Sequence, residues 1–446
     1  MTETFDLIIR GATIVNHDGR ARADVGVRAG RTAAIGDLGR ADAATIVDAP
    51  GLHLLPGVID TQVHFREPGL EHKEDLASGS LAAIKGGVTA VFEMPNTKPT
   101  TSAPDHLLDK LARAKGRMWC DHAFFAGATG DNAELLPEME RVPGCSGVKV
   151  FMGASTGDLL VAEDELLARV LAHARRRVTV HCEDEFRMRE RRHLAETGDV
   201  RQHCNWRDAE SALLATRRLI ALARKARRPV HVLHVTTAEE IEFLAGHKDI
   251  ATLEITPQHL TLAAPECYER LGTFAQMNPP IREAHHRAGL WRGIADGIAD
   301  VVGSDHAPHT REEKAKPYPN SPSGMPGVQT LLPLLLDHCA EGRLTLERVV
   351  DLTSAGAQRV FGIAGKGRLA VGYDADYTLV DLAARRTITA DWLASRCGWS
   401  PFEGREVTGW PIATIIRGHV AMREDEVLGA PVGAPVRFVE ALPPAA

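Results

Sequence analysis

Short runs rich in apolar residues recur through the middle of the chain, at 54–59, 88–94, 123–126, 147–152, 178–181, 230–235, 252–256 and 300–304. Runs of this length predict buried strands. The stretches between them, such as 75–85 and 209–225, space their apolar residues as a helix does. Eight strand–helix units in about 300 residues predict an α/β fold, a (β/α)8 TIM barrel. An open doubly wound sheet is the alternative topology, but no GxGxxG follows the first strand.

The two chain ends have a different pattern. Residues 6–10, 12–15, 25–27 and 32–36 are short β-like runs separated by glycine and charged turns, and similar runs return at 367–380 and 412–420. Neither end has enough apolar surface to stand alone. Residues 1–54 and 366–446 are therefore expected to form one small composite β-sandwich, with residues 55–365 inserted between them as the barrel.

Composition narrows the function classes. The 446 residues are 44% hydrophobic and 25% charged, as in an ordinary globular protein, and the net charge of −7 gives no reason to expect nucleic acid or an anionic membrane as partner. The N-terminus does not read as a signal peptide, and no apolar run is long enough to span a bilayer. The seven cysteines are scattered and form no CxxC pair, which predicts reduced thiols in a cytoplasmic protein. Cys182 reads as core packing.

A barrel draws its chemistry from the C-terminal ends of its strands. The first strand leads into Asp60-Thr61-Gln62-Val63-His64-Phe65-Arg66-Glu67-Pro68-Gly69, where alternation puts Asp60, Gln62 and His64 on one side. The fourth carries Lys149, the fifth ends at His181, the sixth at His234 and the eighth at Asp305. A single strand-end histidine is commonly a hydrogen-bonded core residue, and Asp305 alone could cap a helix. Lys149 is harder to place in an apolar strand, because a buried ammonium needs a partner or a modification.

Gln62-Val63-His64 resembles the His-x-His signature of the amidohydrolase superfamily, and the Phe-Arg-Glu-Pro-Gly that follows resembles the dihydroorotase branch, type I. Gln62 departs from the pattern, standing where the family has histidine. The resemblance covers nearly the whole chain and implies a metal-dependent hydrolase of cyclic amides. It implies a carboxylated Lys149 bridging zinc ions, His181 and His234 on one metal, and His64 and Asp305 on the other. Gln62 sits at a lost ligand position, so one firm zinc site and one weak or absent one are expected. The implied reaction is attack of metal-generated hydroxide on a ring amide, with Asp305 as base and then acid.

In dihydroorotases an arginine, an asparagine in Met-Pro-Asn-Thr and a histidine after the catalytic aspartate hold the substrate carboxylate. The matching residues are Arg66, Asn96 and His309, and Asn278 in Asn-Pro-Pro-Ile-Arg matches a ring contact. The bland readings are a salt bridge from Arg66 to Glu67 or Glu74, and a turn role for Asn96. Gln258 and Gln329 also depart from the family pattern. His285-His286 and Arg175-Arg176-Arg177 read as solvated helix surface. Three functions follow. One is a dihydroorotase converting N-carbamoyl-L-aspartate to dihydroorotate in pyrimidine biosynthesis. Another is a hydantoinase- or allantoinase-type hydrolase, and the last is a catalytically silent scaffold subunit. A homo-oligomer and association with aspartate transcarbamoylase are the expected assemblies.

Overall fold

The computed structural model describes residues 4–154 and 159–441. Eight parallel strands stand side by side in chain order. They are Val58–Val63, Val88–Glu93, Asp121–Gly127, Cys145–Phe151, Val178–His181, Val230–Val232, Ala251–Ile255 and Val301–Val302. The ring closes where Val63 pairs in parallel with His306 and the His64 N–H donates to the His306 carbonyl at 2.7 Å. Helices cover the outside, as the alternating pattern predicts. Leu76–Lys85 begins at Asp75, whose side chain accepts from the Ser78 N–H and completes a capping box. Ala209–Ala226 buries Leu213, Leu219 and Ile220 on one stripe.

The first apolar run divides. His53–Pro56 belongs to a seven-stranded sheet at the side of the barrel, and only Val58–Val63 enters the barrel. The expected strand at 54–59 is thus two strands with Gly57 between them. The cause is crowding: a Cβ at Gly57 would lie 2.2 Å from Thr89 Oγ1 and 2.9 Å from Asp376 Cβ. The seven-stranded sheet mixes both chain ends, pairing His53–Pro56 with Tyr377–Thr387. A four-stranded sheet of N-terminal strands packs on it through Leu7, Ile9, Val25, Tyr377 and Ile415. Beyond these sheets the chain passes under the barrel, where Val436 bonds to the His122 carbonyl and Phe438 packs against Phe92.

Two surface assignments are corrected. Arg176 and His286 are buried, and Arg175–Arg177 lies past the end of helix Asp164–His173. Arg176 turns inward because its guanidinium donates to the carbonyls of Cys145 and Glu140. All seven cysteines are free, and Cys182 is buried with its thiol pushed up by desolvation. Among the described residues no helix is long and apolar enough to cross a membrane.

Candidate active site

The strand ends converge on a small cavity walled by Gln62, His64, Phe151, His181, His234, Asn278 and Asp305. Backbone strain marks the place. Arg66, His234 and Asp305 have φ of 65°, 35° and 45°, conformations that side-chain-bearing residues seldom adopt.

Two pairs of donors face the cavity. In the first, His181 Nδ1 lies 3.0 Å from His234 Nε2. His181 Nε2 is 2.8 Å from Glu183 Oε2, and Arg207 Nε donates to both Glu183 oxygens at 3.0 and 3.1 Å. The Arg207 guanidinium and the His181 N–H hold Glu183 below the usual carboxylate range despite its burial. An ionised Glu183 fixes the proton on His181 Nε2, so His181 Nδ1 carries its lone pair on the side of His234 Nε2 at the cavity wall. Burial keeps both imidazoles neutral by lowering their pKa.

Lys149 stands beside this pair, fully buried. Its Nζ has no hydrogen-bond partner among the described residues and lies 4.4 Å from the Phe151 ring centre. Desolvation lowers its pKa to about 7.

In the second pair, His64 Nε2 is 3.1 Å from Asp305 Oδ1, and Gln62 Nε2 donates to the same oxygen at 3.0 Å. His64 Nδ1 is 2.6 Å from Asn96 Oδ1. Gln62 Oε1 is buried without a partner among the described residues.

The donor set suits a divalent cation at the first pair: two imidazole nitrogens, plus an unpartnered amine that becomes an oxygen ligand on carboxylation. Among the described residues the cavity gathers no three His, Cys, Asp or Glu donors within mutual reach; the one such group is Glu239, His285 and His286, on the outer helices. The cavity would therefore need Lys149 or Gln62 to complete either set.

Arg66 and His309 are brought together, with Arg66 Nη2 3.2 Å from His309 Nε2. They are buried beside the cavity, whose wall there is Ser323 and Gly324. His309 Nε2 bonds the Ser323 carbonyl at 3.0 Å from behind that wall. Lys73 Nζ reaches His309 Nδ1 at 3.1 Å. The salt bridges considered for Arg66 do not form. Glu67 pairs with Arg117 at 2.6 Å, and Glu74 bonds Ser78 and Ser395. Arg66 donates instead to the Pro308 carbonyl, and among the described residues no carboxylate lies within ion-pair distance of it.

Glu183, Arg207 and Lys73 were not singled out from the sequence. Glu183 had a signal, since it follows His181 by two residues and so shares its face. Arg207 reaches the site from a separate segment and Lys73 from the loop after the first strand, and neither had one. Gln329 is structural: its Nε2 donates to the Trp392 carbonyl and its Oε1 accepts from the Ala394 N–H, two roles that a glutamate could not both fill.

The profile of the amidohydrolase family matches residues 53–421, and the chain belongs to that family. Its members are generally metal-dependent. Among individual relatives, a dihydroorotase of Halobacterium salinarum is 40% identical over 427 residues, covering 94% of this chain and 97% of its own. An allantoinase of Rubrobacter xylanophilus is 36% identical over 97% of this chain and 98% of its own. The structure of an L-hydantoinase from Arthrobacter aurescens superposes with a TM-score of 0.92 at 30% identity, covering 97% of this chain and 100% of that one.

Proposed function

We propose that the chain is a dihydroorotase-type cyclic amide hydrolase, interconverting N-carbamoyl-L-aspartate and dihydroorotate. The observation that carries this reading is Arg66. A buried guanidinium with no carboxylate partner is costly unless an anion completes it. Arg66 lies against His309, and Asn96 touches His64, so the three carboxylate-binding candidates sit next to the reacting groups. A bound carboxylate would compete with the Ser323 carbonyl for the His309 N–H, drawing that wall away. Asn278, on the cavity wall, would contact the ring.

His181, His234 and Lys149 would hold one firm zinc ion. With a pKa of about 7, part of the Lys149 amine is uncharged at neutral pH. It can then add CO2, forming an N–C bond and releasing a proton, so that the carbamate supplies oxygen ligands. His64 and Asp305 would make a weak second position, because the Gln62 amide oxygen is a poorer donor than imidazole. When bound, a divalent ion acidifies water and polarises a carbonyl. Asp305 takes the proton of the attacking water and returns it to the leaving ring nitrogen. Gln62 and His64 orient Asp305 through Oδ1, and neither engages Oδ2.

The same reading divides the chain into a sandwich built from both chain ends and a catalytic barrel running to residue 365, with the first boundary at Gly57 rather than after residue 54. It also places a homo-oligomer in the cytoplasm, with aspartate transcarbamoylase as a candidate partner; co-sedimentation of the purified chains tests that.

The likeness to an allantoinase and a hydantoinase favours a second reading, hydrolysis of an uncharged ring. Metal content and turnover on one sample separate the readings. About one zinc per chain with strong preference for dihydroorotate over 5,6-dihydrouracil and allantoin is expected. Preference for an uncharged ring supports the second reading. Absence of both metal and turnover, with zinc added, leaves a silent scaffold.

A further inference from the structure

At the opposite end of the barrel, where the strands begin, a second cavity is lined by Ser146, Arg175, Arg176, Arg177, Arg228 and Arg359. Ser146 is the second residue of the fourth strand, Arg177 immediately precedes the fifth, and Arg228 lies two residues before the sixth.

These guanidiniums are positioned mostly by backbone carbonyls. Arg177 donates to the carbonyls of Val360 and Val230, and Arg228 to those of Leu171 and Arg175. Carbonyls fix a guanidinium's orientation and leave its charge uncancelled, with further N–H donors to spare. Arg175 is exposed, and among the described residues its side chain has no partner. Four carboxylates stand nearby, and one of them, Asp300, acts on Arg177 while pairing with Lys248. Asp351 pairs with Arg359 at 2.6 Å. Glu140 accepts the Arg175 and Arg176 backbone N–H groups. Glu440, itself largely exposed, only approaches Arg176, at 3.9 Å. Five cations therefore face one cavity with incomplete neutralisation.

An independent observation points to a ligand. Ser146 is 2% exposed, and its Oγ is buried with no hydrogen-bond partner among the described residues, in the wall of this cavity. A buried hydroxyl left unbonded costs stability unless something bonds it.

We propose that this cavity binds a phosphate-bearing anion. A phosphate offers several acceptor oxygens to guanidinium forks and a hydroxyl together, whereas a carboxylate offers only two. The site lies on the barrel face away from Asp305 and is independent of the proposed catalytic reading.

Calorimetric titration of the full-length protein with pyrophosphate, at fixed ionic strength in sodium chloride, tests it. One site per chain is expected. Arg175→Glu, which removes no hydrogen bond, should weaken binding by about tenfold or more. Ser146→Ala should weaken it severalfold while leaving the charge unchanged, and neither variant should alter turnover. Circular dichroism confirms that both variants fold. No binding to the wild-type protein overturns the proposal. So does binding that Arg175→Glu leaves intact, since the anion would then sit elsewhere, for example on a metal in the catalytic cavity.

Discussion

Lys149 and Glu183 show what single residues contribute. Glu183 holds the His181 ring through Nε2 and is itself clamped by Arg207. Glu183→Gln removes the charge that fixes the His181 tautomer and leaves Arg207 unpaired. Zinc affinity, read by chelator competition, should fall about 10–100-fold. Gln62→His restores an imidazole beside His64 and Asp305, and the same competition should then retain a second metal per chain. Lys149 has a stability cost. Its folded pKa is about 7, against the 10.5 of a solvated lysine in the unfolded chain. Between these values the unfolded chain binds the extra proton, so stability rises with pH, and the penalty is complete below pH 7. In metal-free, CO2-free protein, Lys149→Met should therefore raise the melting temperature most at or below neutrality. The gain, on the order of 4 kcal/mol, should fade towards pH 10. A gain independent of pH would show that Lys149 is not buried as an amine.

Among elements, the junction at Gly57 decides how the barrel begins. The chain leaves the sandwich sheet and enters the barrel within one residue, against Thr89 and Asp376. Gly57→Val forces those side chains apart and should cost about 1–3 kcal/mol, measured by denaturant unfolding. A loss of zinc affinity in the same variant would show that displacement of Val58–Val63 is transmitted to Gln62 and His64. The eight strands were legible as apolar runs because each is buried on both faces. The split of the first run was not legible. Leu54 and Leu55 are as apolar as Val58 and Ile59, and only the neighbouring Thr89 and Asp376 make Gly57 a boundary.

Across the whole molecule, one buried network joins sandwich to barrel. Lys366 Nζ donates to Asp121 at 2.6 Å and also to Asp376, and Arg417 pairs with Asp121 and donates its backbone N–H to Asp376 Oδ1 at 2.7 Å. The surrounding cations hold Asp121 below its usual pKa in spite of burial. Lys366→Met leaves two buried carboxylates without their shared cation and should destabilise the protein by about 3–5 kcal/mol. Calorimetry should show one unfolding transition shifting as a unit. Two separated transitions would mean that the sandwich and barrel unfold independently.

The sequence by itself determined the strand order, the barrel and the identity of the strand-end groups, because periodicity and strand-end position are local properties. It also placed Gln62, His64, Lys149, His181, His234 and Asp305 at those ends. Only the tertiary structure decided how they pair: Gln62 with Asp305, His181 with His234, and Lys149 with no hydrogen-bonding partner among the described residues. The same holds for Arg207, which reaches Glu183 from 24 residues away, and for the arginines under the barrel. Those contacts join segments far apart in the chain, and each depends on where the closed ring of strands puts its two ends.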